Sequence, residues 1–517
     1  MKKLFLNGRI YVSFKPKRLA EALVVSGGRV IYSGSEDEAL KICKGDDVDV
    51  IDLNGKVVLP GFIDSHLHLD ELGIFLNSID LRGVRSIEDI KEKIREFSKK
   101  RSFDWILGYG WDHEMLREKR FPTRWDLDEV VEDVPVLLLR SCLHAGVLNT
   151  KAMKISGLLN SRSNYVMRDE RGEPTGVVLE KALKAATKKF KEGMGIIDYE
   201  RAIKRAIDFV LSNGITAVGF VGCKIKPLKA LMRIRDSGEL SIRIRVYSDD
   251  LKVCETGYVG DDCLKIIGIK VIADGSLGVR TAWLSEPYSD AKTCGTPNVE
   301  REELRTIAKI AKEKNLQLAV HGIGDRTVDM ILDVYESVGV ENRRYRIEHA
   351  SVLRDDQIRR MSELKVVASV QPRFVLSDVW IVRRLGTERA RLVYRFRSMI
   401  KGGIVLGFGT DSPVEPINPW ETVYASVTRG KYENPEFYEL TKHEILTLEE
   451  ALHCYTYGSA YIMFEEKDLG TLEKGKFADF IVVDRDPFDV DENELKNVEI
   501  METYVGGERV FLKNSQL

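Results

Sequence analysis

No stretch of this chain is long and apolar enough to cross a bilayer, and the apolar run behind Met1-Lys2-Lys3 is too short for a secretory leader. Neither charge sign dominates. Lys+Arg total 79 against Asp+Glu 81, a net charge of −2, so the chain lacks the electrostatic footprint of a nucleic-acid or anionic-membrane binder. The 7 cysteines are scattered, odd in number and without a C-x-x-C pair, which argues against a disulfide framework and for reduced thiols in a cytoplasm. Glutamine is scarce while charged residues reach 31%, a balance that suits ion-pair networks in a heat-adapted protein.

What remains is a chain built to bury a large core. With 517 residues it exceeds the usual domain of about 150 residues several-fold, although barrels run much longer. Apolar, β-branched runs at 57–66, 215–221, 242–248, 266–273, 316–321, 345–349, 366–370 and 404–410 read as buried strands. Charged amphipathic stretches such as 301–314 and 355–364 lie between them and read as helices. Alternation of this kind implies parallel pairing, and eight units predict an α/β fold, a (β/α)8 TIM barrel. Short strands punctuated by Asn7-Gly8 and Gly27-Gly28 fill the start of the chain, and similar strands recur near its end. Residues 1–58 and 467–517 are therefore expected to form one composite β-sandwich domain beside a barrel of 59–466. The interval 71–205, too long for a loop, is expected to be a subdomain inserted after the first barrel strand, lying over the active face as a lid.

The chemistry is concentrated where polar residues end the apolar strands. His66 and His68 are two apart, so on a strand both imidazoles project from one face and can grip one metal ion. Lys270 follows Ile266-Ile267-Gly268-Ile269, His321 ends the strand at 316–321, His349 ends 345–349, and Asp411 directly follows 404–410. Taken singly, a strand-end histidine is an ordinary core residue. In a barrel, however, all these ends converge on one mouth. Imidazoles and a carboxylate suit a borderline divalent ion such as Zn2+, which polarises a carbonyl and generates hydroxide near neutral pH. Asp411 then serves as both ligand and proton shuttle. Lys270 is the odd member, because an ammonium repels a dication; burial can turn it into a neutral, reactive amine.

At these residues the sequence resembles the amidohydrolase superfamily. His66-Leu67-His68, Lys270, His321, His349 and Asp411 stand in that family's order, and Leu469-Gly470-Thr471-Leu472-Glu473-Lys474-Gly475-Lys476-Phe477-Ala478-Asp479 is similar to its C-terminal hallmark. The resemblance implies a composite β-sandwich beside the barrel. It also implies one or two metal ions, with a carbon dioxide-derived carboxylate on Lys270 bridging the pair, which removes the electrostatic objection to that lysine. Gly108-Tyr109-Gly110-Trp111-Asp112, Pro122-Thr123-Arg124-Trp125-Asp126-Leu127-Asp128, His144-Ala145-Gly146-Val147-Leu148-Asn149 and Asp274-Gly275-Ser276-Leu277-Gly278 are similar to a narrower branch of barrel metal-dependent hydrolases that includes N-substituted formamide deformylase.

Around this centre, Trp111, His144, Gln371 and Arg373 are candidate substrate contacts, each with a bland alternative as a core or ion-pair residue. Glu180 competes with Lys270 as a bridging ligand but falls inside the insertion rather than on a barrel strand. The leading expectation is a cytoplasmic, homodimeric, metal-dependent amidohydrolase acting on a small molecule, an N-acyl or N-formyl amine. A deaminase is the runner-up, weakened because Gly322-Ile323-Gly324-Asp325 follows His321 where superfamily deaminases often place glutamate. The same hydroxide would also serve an esterase or lactonase. A non-catalytic scaffold is the alternative of another class, against which the intact ligand set argues.

Overall fold

The computed structural model describes residues 2–99, 103–141, 144–257, 259–340 and 343–513. At its centre lie eight parallel strands: β1 (Phe62–Leu67), β2 (Ile215–Val221), β3 (Arg243–Ser248), β4 (Leu264–Ile272), β5 (Gln317–Gly322), β6 (Arg346–His349), β7 (Val367–Val370) and β8 (Leu406–Phe408). Each pairs with its successor, and all eight correspond to the apolar runs of the sequence. Two backbone bonds bring the end of β8 back to β1: Asp411 N donates to His66 O (2.8 Å) and His68 N to Ser412 O (3.0 Å). The strands are buried on both faces, as a parallel sheet requires.

Helices return the chain between strands. Arg301–Glu313 buries a stripe of Leu304, Ala308 and Ala311, at the spacing of one helical face. Asp325–Val338 and Asp355–Glu363 follow β5 and β6. β8 is only three residues long and is seated by the wide π turn Cys454–Gly458. There Phe408 N donates to Ser459 Oγ (3.1 Å), and a Cβ on Gly458 would stand 2.2 Å from Leu406 O.

The run 57–66, read as one strand, is two. Val57–Pro60 pairs with Phe480–Val483 and with Arg9-Ile10, in a different sheet from β1. The chain changes sheet at Gly61, where a Cβ would lie 2.4 Å from the Thr216 side chain. Hydrophobicity continues across the switch, so periodicity does not mark it.

Both ends of the sequence contribute to the sheets outside the barrel. Lys2–Leu6, Ala22–Ser26, Arg29–Gly34 and Val48–Asp52 make a four-stranded sheet. Arg9–Phe14, Lys17–Ala20, Val57–Pro60, Phe480–Val483, Ile500–Val505 and Glu508–Leu512 make a six-stranded one. Phe5, Leu23 and Val25 from the first share one apolar cluster with Ile10, Val58, Phe480 and Tyr504 from the second. Burying each such side chain contributes roughly 1.5–3 kcal/mol.

The chain divides into two compact units, of which the second comprises Asp70–Ala206 and Lys229–Arg233. That unit has its own six-stranded mixed sheet, in the order Val166–Arg168, Pro174–Leu179, Ala145–Leu148, Val136–Arg140, Ile106–Trp111, Ile79–Asp80. Its core gathers Ile106, Trp111, Leu127, Leu138 and Val147.

Candidate metal centre

The alternation of β1 brings His66 and His68 to the same side, the first buried and the second partly exposed. Asp411 is carried beside them by the backbone bond from its own N–H to His66 O. Its Oδ1 lies 3.3 Å from His66 Nε2 and 3.0 Å from His68 Nε2. One ligand atom from each of the three falls within 4.8 Å of the others, the spacing that one cation can bridge. The rings continue in a file, with His349 4.9 Å from His66 and His321 4.4 Å from His349, centroid to centroid. His349 (φ 69°) and Asp411 (φ 60°) both adopt the left-handed backbone that non-glycine residues avoid. Strain of this kind, on the order of 1–3 kcal/mol per residue, collects at functional sites.

The hydrogen bonds behind the rings decide what the centre can hold. His66 Nδ1 faces Glu348 Oε2 (2.5 Å), His68 Nδ1 faces Val221 O (3.2 Å), His349 Nδ1 faces Gln371 Oε1 (2.7 Å) and His321 Nε2 faces Gly275 O (3.0 Å). Each of these partners accepts, so each imidazole spends its N–H there and its other nitrogen carries a lone pair. The deprotonated Nε2 atoms of His66 and His68 then face another acceptor, the Asp411 carboxylate. Converging lone pairs repel one another unless a cation lies among them, and the donor set fits a divalent metal.

Electrostatics points the same way. Burial, helped by Lys270, lowers the pKa of His66, and burial and His321 hold His349 well below its ordinary value, so both rings stay neutral as ligands require. Lys270 is buried on β4, and its Nζ has no hydrogen-bond partner among the described residues. Burial lowers it to about 8 against the opposing pull of Glu348 and Asp411. An orphaned buried amine is costly, and it is explained if the nitrogen carries a group that the structure does not show.

Several residues that support the centre are given no part in it by the sequence, though Asp274 stands out there in a Gly-rich motif. Asp64 accepts from His66 N (3.1 Å) and from Thr410 Oγ1 (2.7 Å), tying β1 to the segment after β8; burial raises it to about 7 against those bonds. Asp274 accepts from Trp283 N, Ile323 N, Gly324 N and Thr327 Oγ1 and so fixes the loop that follows His321. Glu348 and Arg346 form a fully buried ion pair. The available signal was their position: Arg346 and Glu348 flank Ile347 at strand period inside an otherwise apolar barrel strand.

The four candidate substrate contacts have the following surroundings. Gln371 anchors His349, and Arg373 is engaged by Glu415 and by Glu421 (2.7 Å). Trp111 is fully buried in the core of the second unit, edge-on to Phe121. In the same unit, half-exposed His144 bonds through Nδ1 to Glu180 Oε1 (3.0 Å).

Comparison with known proteins agrees with this centre. The chain is 31% identical to YtcJ of Bacillus subtilis (strain 168), over 99% of its own length and 100% of that protein. It is 26% identical to the N-substituted formamide deformylase of Arthrobacter pascens, over 98% and 97% of the two chains. The structure matches a metal-dependent hydrolase from Pyrococcus horikoshii OT3 with a TM-score of 0.87 and 43% identity, covering 95% of this chain and 99% of that one. These likenesses, with the ligand set, make the protein a metal-dependent hydrolase of carbon–nitrogen bonds. The amidohydrolase family model matches residues 49–511, and the chain belongs to that family.

Proposed function

We propose that this enzyme hydrolyses the C–N bond of a linear amide, an N-acyl or N-formyl amine, at a centre of one or two zinc ions. His66, His68, His321, His349 and Asp411 would hold the metal, and a carboxylated Lys270 would bridge two ions. The observation that carries the reading is the convergence of deprotonated imidazole nitrogens on the Asp411 carboxylate. A bound divalent ion supplies Lewis acidity, polarising the carbonyl and acidifying water.

The chain's own residues supply the rest. Asp411 Oδ1 takes a proton from the attacking water and hands it to the departing amine nitrogen. The neutral form of Lys270 Nζ adds to carbon dioxide, forms an N–C bond and releases a proton, and its burial without a partner supports that modification. The formamide deformylase relative supports N-formyl and N-acyl amines as the class to test first. The inserted unit leaves the chain directly after His68, which supports a part in substrate choice, with His144 as its polar contact. The two sheets built from both termini are read as the composite β-sandwich, and the scattered cysteines support a cytoplasmic enzyme, read here as a homodimer.

The test is a zinc-reconstituted screen of N-formyl amines, N-acyl amines, cyclic amides and esters, run beside Asp411→Asn. Amine release from the linear amides, falling by about 10²–10⁴ in the variant, is the expected result. Full turnover in Asp411→Asn refutes the proton-transfer role, and ammonia release without amide cleavage moves the enzyme to the deaminases.

A further inference from the structure

Among the described residues, the four imidazoles are not anchored alike. His68, His321 and His349 direct their N–H at neutral oxygens, those of Val221, Gly275 and Gln371. His66 Nδ1 faces a carboxylate, Glu348 Oε2 at 2.5 Å, the shortest of the four contacts; His321 Nε2 also lies 3.4 Å from Asp274 Oδ1. Neither His66 nor Glu348 is accessible to water. Glu348 is in turn paired with Arg346, whose Nη2 donates to Glu348 Oε2 (2.7 Å) and to Ser65 O (2.7 Å), and whose Nη1 donates to Tyr247 Oη (2.9 Å). Tyr247 Oη donates to Gln317 Oε1 (2.5 Å), and Gln317 Nε2 donates to the backbone oxygens of Arg344 and Ile462. The network crosses the barrel interior through β1, β3, β5 and β6.

Stability alone is a poor reason for such a network. Taking two ions fully out of water costs several kcal/mol each, and well-packed apolar residues of similar volume usually serve a fold as well or better. The pair ends on the Nδ1 of a ligand-bearing imidazole, where a carboxylate both fixes the tautomer and makes the opposite nitrogen a stronger donor.

The geometry points to Glu348 as a positioning residue: charged and fixed by Arg346, it commits His66 to the Nδ1–H tautomer and strengthens Nε2 as a metal ligand. His66 is then tuned for tight metal binding, and Arg346 acts through Glu348. The inference rests on the metal-centre reading above.

Three zinc-binding measurements and one spectroscopic signature test it. Zinc affinity is measured by competition with a chromophoric chelator in the wild type, in Glu348→Gln, and in the double variant Arg346→Met/Glu348→Leu. The double variant removes both charges at nearly constant volume, so that the fold is retained without the acceptor. The expected result is zinc binding about 10–100-fold weaker in the double variant, with a smaller loss in Glu348→Gln, which keeps a neutral acceptor. In the zinc-loaded wild type, ¹⁵N-histidine spectra should show the His66 proton on Nδ1, strongly deshielded, and that signal should shift upfield in Glu348→Gln. A folded double variant with wild-type zinc affinity overturns the inference while leaving the metal centre intact. A wild-type His66 with no proton on Nδ1 overturns it whatever the variants do. Failure of the wild type itself to bind zinc removes the metal-centre reading and this inference together.

Discussion

Gly409 lies where β8 meets β1, two residues before Asp411, and adding one methyl there tests whether the seam positions the metal centre. A Cβ on Gly409 would stand 2.7 Å from His66 N, 2.8 Å from His66 Cβ and 3.0 Å from Asp64 Oδ1. Relaxed contacts need about 3.5 Å, so the two strands must part by roughly 0.7–0.8 Å at this level. The nearest atom belongs to the backbone and cannot swing aside. The seam is also stitched by Asp64 to Thr410, so part of the strain will be absorbed by lengthening that bond. Overpacking of this kind costs about 1–3 kcal/mol, and the upper end is expected for Gly409→Ala in urea unfolding of the metal-free protein. Because His66 moves against Asp411, turnover should fall by about 10²-fold, as expected for a misplacement of near 1 Å. Gly193→Ala is the control: its Cβ would meet only Trp105 Nε1, at an ordinary 3.7 Å, and the change should be neutral or slightly stabilising. Wild-type stability and zinc affinity in Gly409→Ala would refute the argument that the seam sets the ligand geometry.

Trp111→Ala should cost about 3–5 kcal/mol and speed amide exchange throughout the sheet of the second unit, with zinc bound per chain unchanged; loss of zinc with no loss of stability would contradict its place in that core. Burial raises Asp378, which accepts from Tyr394 Oη (2.5 Å), from 3.8 to about 7. The native state therefore holds its proton longer than the unfolded chain, and this contribution to stability is complete below pH 4 and declines as pH rises to 7. The stability difference between wild type and Asp378→Asn, both metal-free, should change across that window and be level above it; a difference independent of pH would refute the assignment. Chelation should abolish turnover reversibly and lower the melting temperature, since an ion bound only by the native state stabilises it by RT ln(1 + [L]/Kd). Full activity after exhaustive chelation would exclude a role for metal.

The barrel and its centre were legible because parallel strands buried on both faces leave long β-branched runs, and a polar residue ending such a run is conspicuous. His66, His68, His321, His349 and Asp411 all announce themselves in this way. Their outer partners did not. Glu348 reaches His66 across 282 positions and Asp64 reaches Thr410 across 346, separations at which no local pattern survives. Gln371 illustrates the same limit: a polar residue after a strand was recognisable, but only the folded barrel shows its Oε1 turned to His349. The switch at Gly61 was hidden for a different reason, because two neighbouring sheets ask for the same apolar residues on either side of it.

The pairing of Val57–Pro60 with Phe480–Val483 has a consequence for how the protein is made. Pro60 lies opposite Phe480, so the two strands are 420 residues apart in the chain. At about 5–20 residues per second, a ribosome needs roughly 20–80 s to supply the second after the first has emerged. Through that interval Val57–Pro60 has only its short parallel pairing with Arg9 and Ile10, and its other edge is open to any passing strand. A strand made well before its partner is thus among the last to be finished, and until Phe480–Val483 arrives its open edge is where a nascent chain is most exposed to wrong pairing.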